Sequence, residues 1–274
     1  MTPIALTIAG SDPSGGAGIQ ADLKAFSANG AYGAAVLTAL TVQNTCGVSG
    51  IFGVPAEFVR QQIDSVLEDL DVDVVKTGML GSPEVVAAVA AAVRDHNVRM
   101  LVVDPVMVAT SGDALAAAGT VEAVRELLLP LATLVTPNLP EAAQLLGCAS
   151  LQEAEVEAAA SALRGLGAQA ALVKGGHGTG PNSTDVLADD RGVERWAAER
   201  VPTQNTHGTG CTLASAIAAH LARRMDLRAA VGEAKEYLTD SLRHADELDV
   251  GHGHGPVHHF SAYWDARTGA RTPR

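Results

Sequence analysis

Met100-Leu101-Val102-Val103-Asp104 is a short aliphatic run closed by a carboxylate, and its form decides the fold. So brief an unbroken apolar run reads as a strand buried on both faces, which is the habit of parallel sheets. The form recurs at 72–76, 131–136 and 170–174, each run ending at a polar or charged residue. Two further strands read at 4–8 and 35–40. Helical patterns lie between them, at 17–28, from Pro55 to about Leu70, and from a capping Ser82 with Pro83 in the first turn. Long helices open near Gly208 and Leu227. Glycine punctuation at 47–54 and the pattern at 186–201 read as two small edge hairpins. Strand and helix units at this spacing predict an α/β fold: a mostly parallel sheet covered by helices on both faces. The polar strand ends then gather at the carboxyl edge, where such sheets bind ligands. They are Gly10-Ser11-Asp12, Lys76-Thr77, Asp104, Thr136-Pro137-Asn138 and Lys174-Gly175.

Composition narrows the function. The chain has 274 residues, 47% hydrophobic but only 3% aromatic, which suits aliphatic layers and excludes a disordered chain. A formal charge of −12 without a basic stripe argues against nucleic acid. No signal peptide or bilayer-spanning run reads at the sequence level, so the expectation is a cytoplasmic protein with no membrane partner. Cys46, Cys148 and Cys211 are too scattered for a disulfide framework.

Asn205-Thr206-His207-Gly208-Thr209-Gly210-Cys211-Thr212-Leu213 is the strongest local signal. Two glycines around Thr209 let the backbone curl about an anion, and the helix that follows adds N–H groups and a positive dipole end. Cys211 would occupy the first turn, where a thiol pKa is depressed. Read alone, the segment fits a phosphate nest or a structural turn equally well.

The segment resembles the Asp-Thr-x-Gly-Ala-Gly-Asp signature of ribokinase-like enzymes, with Cys211 in place of the final aspartate. Together with 9–22, 38–45, 76–80, 104–107, 136–142, 174–177 and 255–260, it resembles the hydroxymethylpyrimidine/phosphomethylpyrimidine kinases of thiamine biosynthesis. The resemblance runs from Ile4 to about Trp264. It implies a ribokinase-like domain over 1–264, a flexible tail at 265–274, and γ-phosphoryl transfer from ATP to an aminopyrimidine alcohol and then to its monophosphate. It implies a catalytic loop of Gly208, Thr209, Gly210 and Cys211, and an acceptor pocket of Gln43, Asp22, Gly10, Ala17, Met79 and Val106. It places ATP on Lys174, Asp104, Asn138 and Thr206, and Mg²⁺ on Glu141 and Asn138 through water. Asn138 and Glu141 also have the spacing of a capping box, and the two roles are compatible. Gln43 presents one donor and one acceptor, as an aminopyrimidine edge requires.

Other readings stay open at this level. A pyridoxal kinase would share the fold and the Gly-Thr-Gly-Cys segment. A non-catalytic binding relative would keep the scaffold, and Gly15-Gly16-Ala17-Gly18 is only superficially dinucleotide-like. The stretch 178–183 reads as a mobile flap. His252, His254, His258 and His259 read as packing groups more readily than as a metal site. A homo-oligomer, with a dimer built on the edge hairpins, completes the expectation.

Overall fold

The computed structural model describes residues 1–107, 115–178 and 180–264. The expected tail at 265–274 lies outside the described residues. In chain order the strands are β1 (Ile4–Ala9), β2 (Tyr32–Leu37), β3 (Ala39–Asn44), β4 (Gly47–Gly53), β5 (Val74–Thr77), β6 (Leu101–Val103), β7 (Leu134–Val135), β8 (Ala171–Val173), β9 (Asn182–Asp189) and β10 (Gly192–Glu199). The helices are α1 (Gly18–Ala28), α2 (Ala56–Asp69), α3 (Pro83–Asp95), α4 (Thr120–Ala123), α5 (Leu139–Leu146), α6 (Val156–Gly165), α7 (Thr209–Ala222) and α8 (Leu227–Arg243).

Eight strands form one sheet in the order β10-β9-β8-β7-β6-β5-β1-β2. Pairings from β2 through β8 are parallel, while β9 and β10 run antiparallel at one edge. The order turns back at β1: the chain proceeds outward to β2, then returns to place β5 on the other flank. This switch opens the carboxyl edge as a crevice.

Period-two alternation sorts the core into two layers. Ala5, Val74, Val102, Leu134 and Leu172 pack with α7 and α8, while Leu6, Val75, Leu101, Val135 and Val173 pack with residues of α2, α3, α5 and α6. Strands buried on both faces are continuous aliphatic runs for this reason. Local signals hold at the helix ends. Ser82 Oγ accepts from Val85 N–H, Asp226 caps α8, and Asn138 and Glu141 form a reciprocal capping box.

One expected strand divides. The run 35–40 breaks at Thr38, whose N–H donates to Ala9 O at 3.0 Å and whose hydroxyl donates to Met79 O at 2.6 Å. The chain beyond it leaves the main sheet, so 47–53 pairs with β3 in a separate two-stranded ribbon. Of the expected flap at 178–183, Thr179 lies outside the described residues; Asn182 and Ser183 begin β9, and Arg200 donates to the carbonyls of Gly176 and Gly180 at 2.8 and 3.0 Å. No helix among the described residues is long and apolar enough to cross a membrane.

Candidate active site

A cleft of about 550 Å³ lies along the carboxyl edge of the sheet, and the fold brings nearly every candidate residue to its wall. Gly10, Ala17, Gln43, Met79 and Val106 line one part; Asp104, Asn138, Glu141, Lys174, Thr206 and the Gly208–Cys211 loop line the rest. Asp22 is the exception and corrects the expectation of a substrate contact. It is wholly buried beneath the wall, where Lys76 donates to its two oxygens at 2.8 and 3.0 Å. Thr7 Oγ1 and Ser215 Oγ donate to the same carboxylate at 2.6 and 2.7 Å. Four donated hydrogen bonds leave Asp22 occupied as the counter-charge of Lys76. Burial alone would drive Lys76 toward the neutral amine, but the adjacent Asp22 raises its pKa instead.

The Gly208–Cys211 loop depends on backbone geometry. Gly208 adopts φ +76° at the start of α7, and a Cβ there would run into the Gly16 carbonyl of the other glycine turn. No side chain caps α7; Thr209 N–H donates to Thr206 O at 3.3 Å, and Gly210 and Cys211 in the first turn line the cleft. A Cβ on Gly210 would lie 3.2 Å from Lys174 Nζ, which places the loop against the cationic end of the cleft.

Cys211 departs from the expected electrostatics. Burial pushes its thiol up to about 11, with Asp22 and Asp104 adding to the rise against the pull of Lys76. The helix dipole does not outweigh removal from water beside two carboxylates. At neutral pH Cys211 is a protonated thiol.

Beyond the loop, Lys174 Nζ donates to Asp104 Oδ1 at 2.8 Å and stands 3.9 Å from Glu141 Oε2. Thr136 Oγ1 donates to the same Asp104 oxygen at 3.1 Å, whereas buried Asp104 Oδ2 has no hydrogen-bond partner. Burial, with Asp104 nearby, pushes Glu141 up to about 7 despite Lys174. The orphaned Asp104 oxygen and the Glu141 carboxyl are therefore oxygen donors beside the Lys174 ammonium. Oxygen donors of this kind fit Mg²⁺ with retained waters. Among the described residues, no three His, Cys, Asp or Glu side chains converge as a metal cage. The terminal histidines fit that finding: buried His259 exchanges a hydrogen bond with Thr212 Oγ1 at 3.0 Å and is held down to about 3 by burial, while His254 Nδ1 lies 3.0 Å from Gln204 O.

Asp12 was named only as a strand-end residue and His207 only as part of the glycine loop, and Lys235 and Asp185 were not singled out from the sequence. Asp12 accepts from the N–H groups of Ser14, Gly16 and Ala17 at 2.9, 3.1 and 2.8 Å, and from His207 Nε2 at 2.8 Å. Burial opposes its ionisation, but the His207 and Ser14 hydrogen bonds hold it down at about 2. Lys235 donates to Asp185 Oδ2 at 2.8 Å on the cleft wall. Asp185 lies just ahead of the hairpin read at 186–201, and nothing local announces that it meets Lys235.

A family model described as phosphomethylpyrimidine kinase matches residues 12–258. The hydroxymethylpyrimidine/phosphomethylpyrimidine kinase of Rhizobium meliloti is 54% identical over 265 residues, covering 96% of this chain and 99% of that one. The enzyme of the same name from Salmonella typhimurium is 51% identical over 261 residues, covering 95% and 98%. An ADP complex of Bacillus subtilis pyridoxal kinase superposes with a TM-score of 0.89 at 34% identity, covering 97% of this chain and all of that one.

Proposed function

The chain belongs to the phosphomethylpyrimidine kinase family, and on that premise we propose how its cleft phosphorylates 4-amino-5-hydroxymethyl-2-methylpyrimidine and then the monophosphate, with ATP as donor, in thiamine biosynthesis. The observation that carries the reading is the single cleft in which Gln43, the Gly208–Cys211 loop and the Lys174–Asp104–Glu141 cluster face one another.

Gln43 reads the heterocycle, with Gly10, Ala17, Met79 and Val106 closing round it. Lys174, Asn138 and Thr206 hold the ATP phosphates, with Asp104 fixing the Lys174 ammonium. Asp104 and Glu141, steadied by the Asn138 cap, are the residues that would hold Mg²⁺, which would neutralise phosphate charge when bound. In each turnover the acceptor oxygen bonds the γ-phosphorus, the bond to the β–γ bridging oxygen breaks, and ADP leaves. The amides of α7 stabilise the charge spread over the transferring oxygens. A loose transition state needs little base, and a thiol near 11 takes no proton from the alcohol at neutral pH. Cys211 therefore acts as a positioned neighbour of the acceptor oxygen, and the hydroxyl proton is released to solvent.

Residues 1–264 work as one kinase domain in the cytoplasm. The partner is a second copy. Leu40 and Phe52 stand opposite each other on the β3–β4 ribbon, and with Val42 they form an exposed apolar face turned away from Thr41 and Gln43. Contiguous exposed apolar surface of this kind marks an interface.

Turnover is measured with Mg-ATP and each pyrimidine, with pyridoxal assayed in parallel. Phosphorylation of both pyrimidines, faster than of pyridoxal, is expected. Failure with both pyrimidines overturns the reading.

A further inference from the structure

Gln43 Nε2 stands 3.4 Å from His207 Nε2, and Gln43 Oε1 stands 3.2 Å from Thr41 Oγ1. A count of protons shows that both contacts set like against like. Asp12 is ionised and accepts only, so the 2.8 Å contact with His207 Nε2 places the proton on that nitrogen. A protonated imidazole nitrogen has no lone pair for Gln43 to donate to. Thr41 Oγ1 has one proton, and its 2.9 Å contact with the Ser11 carbonyl consumes it. Thr41 therefore offers Gln43 a lone pair, which an amide oxygen cannot use. An amide's oxygen and nitrogen have nearly the same shape, so the neighbouring protons decide which is which.

We infer that the Thr41 lone pair, freed because Ser11 holds the Thr41 proton, fixes the Gln43 amide in the opposite sense, with nitrogen toward Thr41 and oxygen toward a His207 nitrogen that has no lone pair to accept an amide N–H, and that this lock sets the enzyme's preference for an amino-substituted over an oxo-substituted pyrimidine. The inference rests on Gln43 being the group that reads the acceptor. An aminopyrimidine edge offers a ring-nitrogen acceptor beside an amine donor; the oxo tautomer offers an N–H donor beside a carbonyl acceptor. A freely rotating amide serves either edge by turning over. A locked amide serves one, and binding the other leaves buried polar groups unpaired. His207 and Thr41 are thus positioning residues whose effect passes through Gln43.

The test compares kcat/KM for the 4-amino substrate with that for its 4-oxo analogue. It uses the full chain, the variants Thr41→Val and His207→Phe, their double variant, and Gln43→Leu. Thr41→Val lies outside the anion loop, so it remains informative if His207→Phe misfolds; thermal melts monitor folding. The amino-to-oxo ratio is expected to fall roughly 10-fold in Thr41→Val, because Thr41 supplies about one hydrogen bond to the amide, and further in the double variant, where His207 no longer disfavours the turned-over amide. A uniform loss of activity on both substrates with the ratio unchanged overturns the lock. If Gln43→Leu leaves kcat/KM for the amino substrate intact, the reading of Gln43 fails and the lock fails with it. If Gln43→Leu abolishes recognition while Thr41→Val and the double variant keep the full ratio, the lock alone is overturned.

Discussion

The Lys76 ammonium donates to both oxygens of Asp22, at 2.8 and 3.0 Å, and neither side chain is reached by solvent. This pair joins β5 to α1 directly beneath the cleft. Removing one partner leaves an uncompensated buried charge. Asp22→Asn is expected to destabilise the fold by about 3–5 kcal/mol. Lys76→Met added to Asp22→Asn should recover part of that loss, since the lone ammonium is gone. Urea unfolding of the single and double variants checks both statements.

Cys211 is expected to resist alkylation at pH 7, because only the thiolate reacts and burial holds the thiol near 11. Exposed Cys46 and Cys148 should be modified first by iodoacetamide. Peptide mapping against time reads the order, and Cys211 labelling should accelerate as pH rises toward 11. Cys211→Ala should lower kcat while changing ATP affinity only modestly.

Glu141 carries a pH signature. Its carboxyl titrates near 7 in the folded protein against an ordinary value of 4.5. The folded state therefore holds this proton more tightly than the unfolded chain does. The contribution to stability is full below pH 4.5 and is lost as pH rises to about 7. Glu141→Gln keeps the capping box and removes the titration, so melting temperature measured from pH 5 to 8 should fall less steeply than in the parent. Mg²⁺ should lower the Glu141 pKa, and calorimetry near pH 6.5 in two buffers should record proton release on binding.

Gly208→Ala tests the loop. Left-handed backbone costs a residue with a Cβ about 1–2 kcal/mol, and the added methyl also meets the Gly16 carbonyl. The two glycine turns must then separate. We expect a lower melting temperature together with a fall in kcat larger than the change in ATP affinity.

Much of this site was legible in the sequence because its parts are strand ends. Asp104 and Lys174 close aliphatic runs, and in a parallel sheet such residues share one edge. The glycine loop announces itself through spacing, and the Asn138–Glu141 box through its four-residue frame. Asp22 misled because its position in a helix after a glycine turn says nothing of Lys76, 54 residues away. The run 35–40 misled because the break at Thr38 is made by Ala9 and Met79, which no local pattern reveals.

Alone, the sequence determined the α/β layering, the edge at which the cleft opens and the glycine loop that lines it. These follow from periodicity and backbone freedom, which are local properties. Only the tertiary structure decided the charge states. Cys211 is a thiol because the fold holds it, half-buried, beside Asp22 and Asp104. Asp12 is ionised because His207 comes to it from 195 residues away. A pKa is set by whatever the fold places within a few ångströms and by the water it removes, and chain order records neither.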